Sequence, residues 1–357
     1  MQPLRSSALV LFVSLLLAAC GGPDRRGGGG GGTGADGGTG DGGAGDGGDT
    51  TDGGRLDDFG DGGGGMRRQC EKMDILFVID DSGSMGEEQS NLSTNFPMFV
   101  SVLDEFRTDD GRPIDYRIGV TTTGRDGTYI ANLTIDLGTG SPLMQTIRED
   151  MDGDNGALRR GDGCGLSVPF LSRSDDDVAG KFSCVANVGT SGPSVEMPLL
   201  MTQWAVADRV SDGTNAGFLR DDALLAVVIL TDEDDCSRTD DPIVEDITVD
   251  ASGTPSSAAD ACNYDNPALV PIENVVATLD AVKGERRRWA TAVIAGPGPG
   301  KCSSSFGDAI EAVRLKEFVG TVGDNAVFSS ICEGDLASAL REALDTFETA
   351  CQRFILR

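Results

Sequence analysis

The spacing of apolar and polar positions changes several times along the chain, and each change marks a predicted element. Residues 8–17 form an apolar run, shorter than the roughly 20 residues a bilayer-spanning helix needs. Across residues 21–68 large apolar side chains almost vanish among Gly and Asp, so burial could not offset the entropy of ordering that stretch. From Cys70 the pattern becomes that of a folded domain. Residues 74–80, DILFVID, read as a strand buried on both faces. Residues 87–106 predict a helix carrying Phe96, Phe99, Val100, Val102, Leu103 and Phe106. Residues 117–121 and 128–135 read as the next two strands, and a helix is expected over about 194–210, with Pro198 in its first turn. The most apolar strand is predicted at 223–231. A helix near 272–282, a strand at 289–295, a helix near 309–319, a short strand near 326–330 and a closing helix over 336–354 follow. Strands alternating with helices predict an α/β fold, a doubly wound, mainly parallel open sheet flanked by helices. The expected organisation is a signal segment at 1–19, a tether at 20–69 and one domain at 70–357.

Composition narrows the chemistry. The formal charge of −29 removes the basic surface that a nucleic-acid partner requires, and suits cation binding instead. There is no His, which excludes Ser–His, Cys–His and His–metal mechanisms. With no evident nucleophile either, no enzymatic activity is predicted. Nine Cys, none in a CxxC pair, fit an oxidising compartment.

The apolar run follows the single positive charge of Arg5 and ends in Leu17-Ala18-Ala19-Cys20. This ending resembles the bacterial lipobox, which implies cleavage after residue 19, lipidation of Cys20 and attachment to a membrane through the lipid alone. Gly21 stands where Asp would signal inner-membrane retention. By resemblance to lipoproteins of Gram-negative bacteria this implies an outer-membrane location in the cell envelope, facing the periplasm or the surface. A Gly-rich coil of about 48 residues spans roughly 35–40 Å and stretches to about 160 Å, enough to carry the domain clear of the membrane.

The principal chemical feature is Asp80-Asp81-Ser82-Gly83-Ser84, directly after the first buried strand. Two hydroxyls two residues apart on a loop can face one ion, while a nearby carboxylate supplies charge and holds a metal-bound water. Oxygen-only ligation suits Mg²⁺, Ca²⁺ or Mn²⁺. The pattern resembles the DxSxS motif of von Willebrand factor A domains, the core of their metal-ion-dependent adhesion site, and the resemblance extends over residues 70–357. It implies that Asp80, Ser82 and Ser84 bind a divalent cation, Mg²⁺ foremost with Ca²⁺ or Mn²⁺ as alternatives. It also implies a Thr before a helix and an Asp ending the most buried strand, here Thr190 and Asp232. Thr121, Thr122 and Thr123 also cluster at a strand end, and Ser191 or Ser194 could take the place of Thr190. The family usually has Gly after the last Asp, whereas this chain has Glu233-Asp234-Asp235, which adds charge beside the ion or forms a solvated rim.

Two stretches, about 136–188 and 234–268, exceed what the family needs. The first contains Asp150-Met151-Asp152-Gly153-Asp154-Asn155-Gly156, which mimics the first carboxylates of a calcium loop but has Asn155 where the turn glycine belongs and Gly161 where the twelfth-position Glu belongs. Setting Cys20 aside, eight Cys suit four disulfides among on the order of a hundred connectivities. Nearest-neighbour pairing offers Cys70 with Cys351, Cys164 with Cys184, Cys236 with Cys262 and Cys302 with Cys332. The implied function is a membrane-anchored, metal-dependent binding or adhesion module whose protein partner offers an acidic side chain. The alternative is a structural or assembly factor of the envelope that uses the same fold without metal.

Overall fold

The computed structural model describes residues 70–108, 111–136, 138, 140–249, 255–258, 262, 266–304, 307–333 and 336–354. The expected signal segment, Cys20 and the tether lie outside the described residues.

The apolar run DILFVI forms the centre of strand β1 (Lys72–Ile79). Side chains alternate across a strand, so Ile75, Phe77 and Ile79 enter one apolar core while Leu76 and Val78 enter a second on the other face. Around β1 stand β2 (Asp115–Thr122), the two-residue β5 (Leu171–Ser172), β6 (Leu224–Leu230), β9 (Trp289–Ala295) and β12 (Ala326–Ser330). The order across the sheet is β12-β9-β6-β1-β2-β5. Every neighbouring pair is parallel except β2 with β5. Helices α1 (Gly86–Glu105), α2 (Val178–Ala186) and α6 (Leu336–Gln352) bury their apolar residues in the first core. Phe96, Phe99 and Phe182 gather round Phe77 with ring centroids 4.8–5.9 Å from it, which fixes α1 and α2 on β1. Helices α3 (Pro198–Gln203, continued by a π-turn at Trp204–Asp208 and by Arg209–Ser211), α4 (Ile272–Lys283) and α5 (Val313–Val322) cover the other face. The expected doubly wound, mainly parallel sheet is therefore the fold observed.

Three elements differ from expectation. Residues 128–135 do form a strand, β3 (Gly127–Ile135), but in a second sheet ordered β4-β3-β7-β8 with β4 (Leu143–Met151), β7 (Ile243–Val249) and β8 (Pro255–Ala258). The two long stretches supply its other three strands. The edge place beside β2 falls to β5 instead. The helix expected from 194 begins at Pro198, where Asp235 accepts from Leu199 N at 3.0 Å and Ser237 Oγ accepts from Leu200 N at 2.8 Å. The helix expected from 309 begins at Val313, because Gly307–Ala309 (β11) pairs with Cys302–Ser304 (β10).

Four disulfides join Cys70–Cys351, Cys164–Cys184, Cys236–Cys262 and Cys302–Cys332, the nearest-neighbour pairing. Among the described residues no helix is long and apolar enough to cross a membrane.

Chain order runs outward from β1 in both directions, through β2 to β5 and through β6 and β9 to β12. The crevice beyond the C-terminal ends of β1 and β6 is thus the switch point at which open α/β sheets bind ligands.

Candidate metal centre

Because Ile79 pairs with Leu230, the residues just beyond the two strands come side by side at that switch point. Asp80 is fully buried, and its N–H donates to Leu230 O at 2.9 Å. Its carboxylate accepts from Thr231 Oγ1 at 2.6 Å and from Ser82 N at 2.8 Å. Ser82 Oγ lies 2.9 Å from Ser84 Oγ. The Ser84 hydroxyl in turn hydrogen-bonds the Asp232 carboxylate. Gln89, in the first turn of α1, donates from Nε2 to Asp80 O at 3.0 Å and anchors the loop from below. Asp80, Ser82, Ser84 and Asp232 are therefore brought together in one hydrogen-bonded chain.

Thr190 is placed differently: it is exposed, where Asp80, Ser82 and Asp232 are buried. Its loop is docked on the motif all the same, since Gly192 N donates to Asp81 O at 2.7 Å. Thr121, Thr122 and Thr123 are buried at the end of β2. The 189–197 loop also carries Glu196, only 3% exposed and an electrostatic neighbour of Asp80. Its leading electrostatic neighbours are Glu233, Asp80 and Asp232, and it shares a hydrogen bond with the Glu233 carboxyl. Reading the sequence missed Glu196. The available signal was a lone carboxylate in the apolar stretch from Val195 to Leu200, a setting in which an unpaired acid is rarely buried without a purpose.

The run after Asp232 divides by role. Asp234 accepts from Arg314 N at 2.9 Å and Leu315 N at 3.2 Å, capping the first turn of α5. Asp235 caps α3 and pairs with Arg314 at 3.2 Å, both side chains buried. Neither is a solvated rim, and only Glu233 of the three adds charge to the site.

Burial dominates the site's electrostatics. It raises the Asp80 carboxyl and pushes Glu196 well above the ordinary Glu range, where Glu233 and Asp80 raise it further. Asp232 is lifted to about 9 by burial, then by Asp80 and Glu233. Asp81 is lifted to about 7 by burial, then by Asp80 and Asp154, with Arg159 opposing. Glu88, in the first turn of α1, also rises to about 7 through burial. Buried oxygens of Asp81 (Oδ1), Glu88 (Oε2), Glu196 (Oε1) and Asp232 (Oδ1) have no hydrogen-bond partner. Unpaired buried carboxylates are costly, and a cation bound beside them would supply the missing counter-charge. Among the described residues no three Asp, Glu or Cys side chains form a metal-holding group on their own. A ligand set here needs the Ser82 and Ser84 hydroxyls together with Asp80 and Asp232, and such an all-oxygen set fits a hard divalent cation.

Asp150 lies next to the end of β4 and pairs with Arg148 at 2.8 Å, Asp152 is exposed, and Asp154 pairs with Arg159 at 3.0 Å. Among the described residues the acids of this calcium-like loop form no metal-holding group.

No protein-family profile matches the chain, and no curated protein matches it. Similar solved structures include proximal thread matrix protein 1 from the mussel byssus, at 12% identity and a TM-score of 0.40, with 78% of this chain and 49% of that one covered. The pilus adhesin RrgA of Streptococcus pneumoniae is similar at 9% identity and a TM-score of 0.39, covering 78% and 44%. The manganese-loaded TRAP protein of Plasmodium vivax is similar at 11% identity and a TM-score of 0.30, covering 78% and 74%. This chain thus spans less than half the length of the first two. At such identities and scores these likenesses transfer no function.

Proposed function

We propose that the protein is a cation-dependent binding module of the bacterial cell envelope, carried on a lipidated N-terminal tether. The observation that supports this reading is the chain of hydrogen bonds linking Asp80, Ser82, Ser84 and Asp232 at the switch point between β1 and β6. A divalent cation there, Mg²⁺, Ca²⁺ or Mn²⁺, supplies the counter-charge these buried carboxylates lack and an open position for an outside oxygen. That oxygen comes from a protein partner. An acidic partner side chain is attracted only if the ion's charge outweighs the surrounding carboxylates, whereas a neutral hydroxyl or amide oxygen carries no such condition.

Calorimetric titration of the full chain with MgCl₂, CaCl₂ and MnCl₂ tests the reading, beside an Asp80→Ala variant and capture from envelope extract with and without chelator. The expected result is saturable cation binding lost in Asp80→Ala, with capture lost in chelator. Cation binding that Asp80→Ala leaves intact refutes the reading. Capture indifferent to both chelator and Asp80→Ala favours the metal-free envelope factor.

A further inference from the structure

The loop before α3 buries a carboxylate, Glu196, near Asp80 and leaves its threonine, Thr190, exposed. We propose that Glu196 is that loop's contribution to the cation site, its free oxygen holding one of the ion's waters. The inference rests on the reading that Asp80, Ser82, Ser84 and Asp232 hold a cation, and it replaces Thr190 in that set.

Two independent observations carry it. Glu196 is 3% exposed with Oε1 unpartnered, so one carboxylate oxygen is buried without a donor. Its leading charged neighbours, Glu233, Asp80 and Asp232, are all carboxylates. A side chain held for structural reasons in such surroundings would be expected to face Arg, Lys or backbone N–H groups, as Asp235 faces Arg314 N ε and Leu199 N. Glu196 has the opposite environment. Its backbone meanwhile is firmly fixed: Cys236 N donates to Glu196 O at 2.8 Å, and Met197 N donates to Thr123 O at 3.0 Å. The carboxylate is thus positioned by the chain on both sides, shares one hydrogen bond with the Glu233 carboxyl and has no donor for Oε1. Thr190, exposed six positions earlier, has no comparable constraint. Ca²⁺ is the cation for the test, because its larger shell tolerates varied oxygen arrangements that the strict octahedron of Mg²⁺ does not.

The test is calorimetric titration of the full chain with CaCl₂, and a thermal melt in chelator, for wild type, Glu196→Gln, Thr190→Ala and Asp80→Asn. Glu196→Gln should weaken Ca²⁺ binding at least tenfold. It should also raise the melting temperature in chelator, because it removes a carboxyl whose burial beside Asp80, Asp232 and Glu233 costs stability. Thr190→Ala should bind Ca²⁺ within about twofold of wild type. Glu196→Gln that binds Ca²⁺ within about twofold of wild type overturns the proposal, whatever Thr190→Ala does. Weakened binding together with a lowered melting temperature in chelator also overturns it, since that marks a folding role. Failure of the underlying reading looks different: wild type then shows no saturable binding, or Asp80→Asn binds as well as wild type, and both ideas fall together.

Discussion

Replacing Gly192 with Ala tests whether the loop carrying Glu196 is held against the Asp80–Ser84 loop by direct contact. Gly192 N lies 2.7 Å from Asp81 O. A Cβ added at Gly192 would overlap the Asp81 carboxylate, with even the farther oxygen, Oδ2, only 2.7 Å away. Gly192 is not among the glycines with positive φ, so Ala meets no backbone strain there and the cost is contact alone. Carbon and oxygen normally rest about 3.5 Å apart, so the two loops must separate by on the order of 1 Å. Asp81 is 7% exposed and has Asp154 as a charged neighbour, which leaves its carboxylate little freedom to swing aside. Overpacking of this kind costs about 1–3 kcal/mol. For a domain of this size that is a fall in melting temperature of roughly 2–10 °C. Glu196, four residues on, is displaced with the loop, and Ca²⁺ affinity should fall about tenfold, or about 1.4 kcal/mol. Differential scanning calorimetry and CaCl₂ titration read both effects. Gly83→Ala is the control, because a Cβ there meets nothing within 4 Å and its φ is ordinary. Wild-type stability and affinity in Gly192→Ala would refute the reasoning, and so would equal losses in Gly83→Ala.

Acidity should act in an unusual direction. Asp81 at about 7 and Asp232 at about 9 lie above the ordinary value of 3.8, so the folded protein keeps protons that the unfolded chain has released. Stability in chelator should therefore fall as pH rises from about 4 through about 7 and on to about 9, and saturating Ca²⁺ should flatten that fall. Melting curves at about pH 5, 7 and 9 with and without chelator check this, and a melting temperature that climbs over that range in chelator contradicts it. Asp234→Ala should behave as a lost helix cap, costing about 0.5–2 kcal/mol in urea denaturation, and should leave Ca²⁺ affinity within about twofold. A tenfold loss of affinity would return Asp234 to the ion's surroundings.

Strand β1 was legible because a run buried on both faces leaves a continuous apolar signature, DILFVI, and a polar loop after such a strand falls at the ligand-binding edge of an α/β sheet. The same logic located Asp232 after β6. Sheet membership was not legible: β3 has the composition of a strand, but nothing local says that it pairs with β4 and β7 instead of β2. The main sheet's own edge strand, Leu171–Ser172, is too short to leave a pattern. The roles of Asp234 and Asp235 were equally hidden, because their partners, Arg314, Leu315 and Leu199, lie far away in the chain. Thr190 was read from the family's order of ligand loops, as a Thr before a helix. Glu196 stands out only through its burial and its carboxylate neighbours.

The Cys70–Cys351 disulfide has a mechanical consequence. Cys70 lies two residues before β1, and Cys351 is in the last turn of α6, so the bond secures the closing helix at the point where the chain enters the central strand. The Asp80 loop lies at the opposite end of β1, about 26 Å away along eight residues at ~3.3 Å each. Tension between Cys70 and a partner held at that loop would run parallel to the strand. It would load the ladders to β2 and β6 in shear, stressing many hydrogen bonds together where peeling would break them one at a time. The helix on the far end of the chain cannot be stripped off first, because the same covalent knot that receives the pull also holds it.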